Sequence, residues 1–247
     1  MHSSSKKSPN KLLTYVDTSD IKIHPNVDIA VVPVPQSTDK IILVRDVFAH
    51  PTKVRDFILQ TPVHKEPFFA FPGYRAALRW EFGELPSFLN YILQEFYNRE
   101  MQGVNFHSNV ICPQEKIIKS RLVPHVDDMN FGFSIWLNTP EEISTKKLMP
   151  GTAFYRHKIY DTCSLDIEKN PDKYDSFVKE YQDTWGTEEL VSFDSDNIDT
   201  DVWEKYFLSP MIYNTMVLYP GKLFHQAFVK PNYFPNCERI SLAGLPK

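Results

Sequence analysis

Residues 121–138 read RLVPHVDDMNFGFSIWLN. His125 and Asp127 stand two residues apart just after Pro124, Asp128 follows, and Phe131 opens a strongly apolar run. In extended chain, residues i and i+2 point to the same side. If the backbone stays extended past Pro124, His125 and Asp127 face together and Asp128 faces away. An imidazole and a carboxylate side by side at the mouth of a sheet can share one metal ion. The same pair can also be a hydrogen-bonded turn between two strands. The partners supplied by the rest of the chain decide between the two.

His225 is the best-placed partner. It sits in YPGKLFHQAF (219–228), where apolar residues on both sides indicate a buried strand. A histidine satisfied within the core is the ordinary alternative. Two His and one carboxylate, with coordination positions left open, form the ligand set of non-heme Fe(II) oxygenases. A structural zinc site wants a fourth ligand, and none of Cys112, Cys163 and Cys237 is positioned to supply it. Downstream, Arg239 and Ser241 in RISLAG are two apart on a predicted strand and share a face. A buried arginine needs an anionic partner. Its planar fork matches a carboxylate, and a neighbouring hydroxyl adds a hydrogen bond. A surface arginine or an internal ion pair is the competing reading.

The pattern around these residues predicts a mainly β (α+β) fold. The runs KIIKSRLV, FGFSIWLN, GTAFYRHK, YNTMVLYP, KLFHQAFV and RISLAGL are short, branched and aromatic, and turn residues separate them. Before them come two strand-like runs, IAVVPVP and IILVRDVF, and two helical patterns, HPTKVRDFILQTP and ELPSFLNYILQEFYNREM. Helices first and strands after suggest an antiparallel core with N-terminal helices packed outside. A jelly-roll (cupin-like) arrangement fits better than a parallel sheet, because no helix alternates with the strands. Residues 1–20 read as a flexible polar leader and 21–247 as a single domain. Residues 159–210 interrupt the strands as an insertion with 14 Asp and Glu against four Lys. It is either a solvated excursion or a lid over a site.

Composition narrows the function classes. The chain has 247 residues, 42% of them apolar, and a formal charge of −4. The lack of a basic block argues against a nucleic-acid partner. No apolar run approaches the ~20 residues of a membrane-spanning helix. Only eight glycines occur, none spaced for a phosphate-cradling loop. Three scattered cysteines without C-x-x-C spacing point to a reducing, cytoplasmic setting.

In PHVDD, GTAFYRH, YPGKLFHQAF and RISLAG, spread over residues 110–245, the chain resembles the Fe(II)/2-oxoglutarate-dependent dioxygenase superfamily. ILVRDVFAHPTKVRDFILQ followed by FPGYR resembles the leading strand and helix of its prolyl-hydroxylase-like branch. The resemblance implies a double-stranded β-helix with iron at its open end. His125, Asp127 and His225 would be the ligands, Arg239 would grip the distal carboxylate of 2-oxoglutarate, and Ser241 would support it. Dioxygen would be the other cosubstrate, and a C–H bond would be hydroxylated with release of succinate and CO2. A carboxylate at position 127, where halogenating members have a small residue, favours hydroxylation or a related C–H oxidation. The GTAFYRH strand departs from many relatives in having one glycine where they have two.

The substrate expected is a small molecule, such as an amino acid derivative, acted on by a monomer or homodimer. Arg156 ranks first as its anion-binding partner, ahead of Arg75, Arg79 and Arg121, and Asp128 and Trp136 are further substrate-binding candidates. His157 is expected to face solvent or substrate. Two rival readings belong to other classes. One is a non-catalytic β-sandwich that binds a ligand or partner. The other is a cupin-like zinc or manganese enzyme that does not use 2-oxoglutarate.

Overall fold

The computed structural model describes residues 18–61, 74–78, 82–111, 124–143, 149–166, 171–173, 175–177, 198–229, 233–234 and 237–246. Most of the polar leader, the KIIKSRLV run, Arg79, Arg121 and the middle of the expected insertion lie outside them.

Among the described residues the main elements follow one another along the chain: β1 (Asp28–Pro33), β2 (Lys40–Arg45), α1 (Pro51–Gln60), β3 (Tyr74–Leu78), α2 (Leu85–Tyr97), β4 (Val104–Ile111), β5 (Phe131–Trp136), β6 (Gly151–His157), β7 (Trp203–Pro210), β8 (Thr215–Pro220), β9 (His225–Phe228) and β10 (Arg239–Pro246). Seven form one sheet in the order β1-β2-β8-β5-β10-β4-β3, and three form a second in the order β7-β6-β9. Every pairing is antiparallel. From β4 onward the chain visits the large sheet twice, the small sheet twice, and then alternates large, small, large.

Side-chain parity explains the layering. On β5, Phe131, Phe133 and Ile135 face the helices, while Trp136 faces the small sheet. Both faces of this strand are therefore buried, which is why it reads as a continuous apolar run rather than an alternation. Ile240 and Leu242 of β10 and Met216 and Leu218 of β8 join the helix side, where α1 buries Val54 and Ile58 and α2 buries Leu85, Leu89, Ile92 and Leu93. Burying each such side chain contributes roughly 1.5–3 kcal/mol. Pro51 and Pro86 sit in the first turns of these helices, where no intrahelical N–H is required. α2 ends because Asn98 adopts the left-handed conformation (φ 52°, ψ 46°), with Arg99 N–H closing onto the Leu93 carbonyl at 3.2 Å.

On its other face the large sheet presents Trp136, Val217 and Tyr219 to Phe154 of the small sheet, making a sandwich. A third cluster covers the outside of the small sheet with Tyr155, Trp203, Phe224 and Phe228. No helix among the described residues is long and apolar enough to cross a membrane.

Three elements depart from the sequence reading, the first being strand β3, which it did not include. The last eight residues of the expected insertion, Trp203–Pro210, are strand β7 paired with β6, so the excursion ends before Trp203. Val104–Ile111 is a full strand, β4, which pairs with β10 along its whole length. Near DKYDSFVKEYQ, residues 171–173 and 175–177 are helical, and the rest of that stretch lies outside the described residues.

Candidate metal centre

His125 and His225 are joined as an isolated antiparallel bridge, each N–H donating to the other's carbonyl at 2.9 Å. Two residues on, the Asp127 N–H donates to the Gly221 carbonyl at 2.8 Å, and the Gly221 N–H donates to Asn130 at 2.9 Å. Backbone bonds alone thus set the His125–Asp127 segment against the first residue of β9. One donor atom from each of His125, Asp127 and His225 lies within 4.8 Å of the others. The Asp127 carboxylate is 3.9 Å from Nε2 of His125 and 3.4 Å from Nε2 of His225. Two ligands each about 2.1 Å from one ion sit roughly 3–4 Å apart, so the donor set fits a divalent first-row metal. Asp128 is exposed, on the opposite parity, as its spacing predicts.

Nδ1 of His225 lies 2.9 Å from the Leu223 carbonyl. A carbonyl can only accept, so Nδ1 carries the proton and Nε2 keeps its lone pair toward Asp127. The ring is held sideways by Tyr219, whose centroid lies 4.6 Å away, and by Phe154 at 6.4 Å. Tyr219 stays a neutral phenol, because burial and then the Asp127 charge push its pKa well up.

Burial pushes the His225 pKa down to about 4, against the opposing pull of Asp127, so the imidazole is neutral and ligand-competent at pH 7. A direction for stability follows. Above pH ~6.5 the group is neutral in folded and unfolded chain alike. As pH falls from there toward about 4, the unfolded chain takes up a proton that the folded site refuses, and stability is lost. Urea unfolding of metal-free protein should show a loss on the order of 2 kcal/mol between pH 7 and pH 4.5 that the His225→Gln variant lacks. Equal losses in the two proteins would show that His225 is not the group responsible.

Gly221 belongs to the site although the sequence reading passed over it. A Cβ there would stand 2.0 Å from the Met129 carbonyl oxygen and 3.2 Å from Cβ of Asp127. Only glycine lets the turn carrying Asp127 close onto the β8–β9 turn. Gly221→Ala should cost roughly 1–3 kcal/mol of stability and weaken metal binding about tenfold by displacing a ligand, measured by denaturant unfolding and metal titration. Unchanged affinity would mean that the turn does not set Asp127.

Arg239 opens β10 and is 5% exposed. Its guanidinium lies over the Trp136 ring at 5.2 Å. Ser241 is directly opposite Trp136, which is directly opposite Thr215, so one row of polar groups crosses three strands on the face toward the small sheet. Oγ of Ser241, Nε1 of Trp136, Oγ1 of Thr215 and the hydroxyl of Tyr206 are buried without a hydrogen-bond partner among the described residues. Buried polar groups are ordinarily satisfied, and each orphan costs about 1–3 kcal/mol. Three of them, on Ser241, Trp136 and Thr215, stand in one strand row with Trp136 under the Arg239 guanidinium, which suits a polar, anionic ligand. His225 lies opposite Phe154 of the same between-sheet cluster, so metal donors and guanidinium share one interlayer.

The remaining candidates are placed elsewhere. Arg156 is bound by Asp161 and by Glu204 at 2.9 Å, and these two carboxylates raise its pKa; it does not join the triad. Arg75 lies on β3. His157 is not at the surface: it is 0% exposed, stacked on Tyr160 at 4.4 Å and against Trp203 at 4.5 Å. Trp136 sits at the Arg239 end of the interlayer. Asp128 and Asp127 line a cleft of about 730 Å³ that also reaches Lys222, Arg99 and Glu100.

A family model described as a family of unknown function (DUF6445) matches residues 25–236. No curated protein sequence matches the chain. Among solved structures, the crystal structure of a Pseudomonas putida prolyl-4-hydroxylase is similar with a TM-score of 0.42 at 10% identity, over 81% of this chain and 83% of that one. The crystal structure of EvdMO1 is similar with a TM-score of 0.42 at 12% identity, over 89% of this chain and 55% of that one.

Proposed function

The chain belongs to the DUF6445 family, a family of unknown function, and from that premise we propose that it is an Fe(II)- and 2-oxoglutarate-dependent oxygenase hydroxylating a small molecule. One observation carries this reading. A two-histidine, one-carboxylate donor set, whose His225 lies against the interlayer residue Phe154, is accompanied by a buried arginine over Trp136, in a strand row where Ser241, Trp136 and Thr215 keep buried polar atoms without a hydrogen-bond partner among the described residues. Such a triad, with positions left open, suits non-heme iron. A guanidinium with hydroxyl and indole donors nearby suits a carboxylate. A cosubstrate carrying a metal-chelating 2-oxo acid at one end and a carboxylate at the other uses both.

His125, Asp127 and His225 would hold the iron, with the Leu223 carbonyl keeping the His225 proton on Nδ1. Arg239 and Ser241 would bind the distal carboxylate, and Trp136 and Thr215 stand in the same row to complete its hydrogen bonds. Tyr219 and Phe154 wall the ligands and exclude water. Iron with 2-oxoglutarate and dioxygen supplies the oxidising power for C–H hydroxylation, with succinate and CO2 released. The alternation of the later strands between two sheets supports reading the sandwich as a double-stranded β-helix, within a single domain from residue 21 onward.

The cleft at Asp127 is the substrate side of this reading. Its volume is within the ~300–1,000 Å³ of small-molecule sites. Charges of both signs line it, including Asp128, Glu100, Arg99 and Lys222. That suits a zwitterionic substrate such as an amino acid derivative.

The test is an anaerobic titration of metal-free protein with Fe(II) and 2-oxoglutarate, following the visible charge-transfer band. A band that requires both additions supports the reading. No band from protein shown to be folded would overturn it.

A further inference from the structure

The β5–β10 ladder runs in register up to Trp136 opposite Ser241, and Leu137 N–H continues it to the Ile240 carbonyl at 3.1 Å. One residue further a side chain takes over. Asn138 is 0% exposed. Its Oδ1 accepts the Ile240 N–H at 2.7 Å, and its Nδ2 donates to the Glu238 carbonyl at 2.7 Å. That carbonyl belongs to the peptide before Arg239, and that N–H belongs to the peptide after it. One carboxamide therefore holds both peptide planes whose orientations define φ and ψ of Arg239. We infer that Asn138 is a positioning residue that aims the Arg239 guanidinium at the distal carboxylate of the cosubstrate, an inference that rests on the oxygenase reading.

The carboxamide is itself oriented. Nδ2 also lies 3.3 Å from Oε2 of Glu142, which accepts the Thr139 N–H at 3.0 Å. The other Glu142 oxygen pairs with Arg55 of α1. Nδ2 thus faces a carbonyl and a carboxylate while Oδ1 faces an N–H, which leaves one amide orientation. Trp136, two residues earlier on the same segment, lies under the guanidinium at 5.2 Å. Residues 136–138 therefore support Arg239 at both ends, the head by a ring and the backbone by an amide. A long side chain that must meet a carboxylate with a planar fork gains most from a backbone that cannot rotate.

A merely structural asparagine and a positioning one differ in what they do to two ligands. The experiment measures anaerobic binding to the Fe(II) protein of 2-oxoglutarate and of 2-oxobutyrate, which has the chelating end but no distal carboxylate. Asn138→Leu should weaken 2-oxoglutarate at least about tenfold, the factor that 1.4 kcal/mol represents. Binding of 2-oxobutyrate should stay within about twofold, which also certifies an intact fold and metal centre. Asn138→Asp keeps the shape and the bond from Ile240 but turns a carboxylate toward Glu238 and Glu142. It should show the same selective loss, and it carries the comparison if Asn138→Leu does not fold. Equal weakening of both ligands, or of neither, overturns the positioning role. Failure of unaltered protein to bind 2-oxoglutarate is a different result: it removes the oxygenase reading and this inference with it.

Discussion

Replacing Asp127 with alanine is expected to lower Fe(II) affinity by about 100-fold or more, some 2.7 kcal/mol or above. The reason is charge. Among the three donors, His225 is neutral at pH 7 because burial holds its pKa near 4. Asp127 alone brings a negative charge to a dication, and it lies within 3.9 Å of both imidazole nitrogens. The fold should survive, because the contact that seats this turn is the Asp127 N–H on the Gly221 carbonyl, which alanine retains. Asp127→Asn separates charge from shape: it keeps an oxygen donor and should fall between the two. Metal titration, together with the thermal stabilisation that saturating metal confers on the unaltered protein, measures the effect. Wild-type affinity in Asp127→Ala would mean that the triad is a hydrogen-bonded turn after all.

That outcome bears on how far the chain could be read without coordinates. The parity argument for His125 and Asp127 worked because an antiparallel bridge at His125 keeps the backbone extended there. The same two-residue spacing put Arg239 and Ser241 on one face, and the register with Trp136 confirms it. Helices α1 and α2 were legible from apolar spacing and proline placement. What escaped falls into two kinds. Edge strand β7 carries Glu204 and Lys205 and is half solvated, so its pattern blends with the acidic segment before it. The supports of the site escaped because they are backbone or tertiary contacts. Nothing local to Leu223 marks its carbonyl as the acceptor for His225 Nδ1. Arg156 looked available until Asp161 and Glu204 were found on it. Gly221 did leave a trace: with only eight glycines in 247 residues, one directly before a candidate ligand strand invites a backbone explanation.

The second large effect is expected at Arg239. Arg239→Met should leave Fe(II) binding unchanged and weaken 2-oxoglutarate by about 100-fold, a loss of some 2.7 kcal/mol. Methionine keeps apolar contact with Trp136, so the interlayer stays packed, while the fork that recognises a carboxylate is gone. Arg239→Lys keeps a positive charge without the planar pair of donors and should recover only part of the affinity. Removing Asp127 should weaken Fe(II) and 2-oxoglutarate together, because 2-oxoglutarate chelates the metal; removing Arg239 should weaken only 2-oxoglutarate, which carries the distal carboxylate. A zinc or manganese enzyme of cupin type would share the first behaviour and not the second, since nothing in its chemistry needs a guanidinium at that position. Full 2-oxoglutarate affinity in Arg239→Met would therefore leave the metal centre standing and take the cosubstrate away. The buried hydroxyl and indole donors of Ser241, Trp136 and Thr215 would then have to serve a different polar ligand.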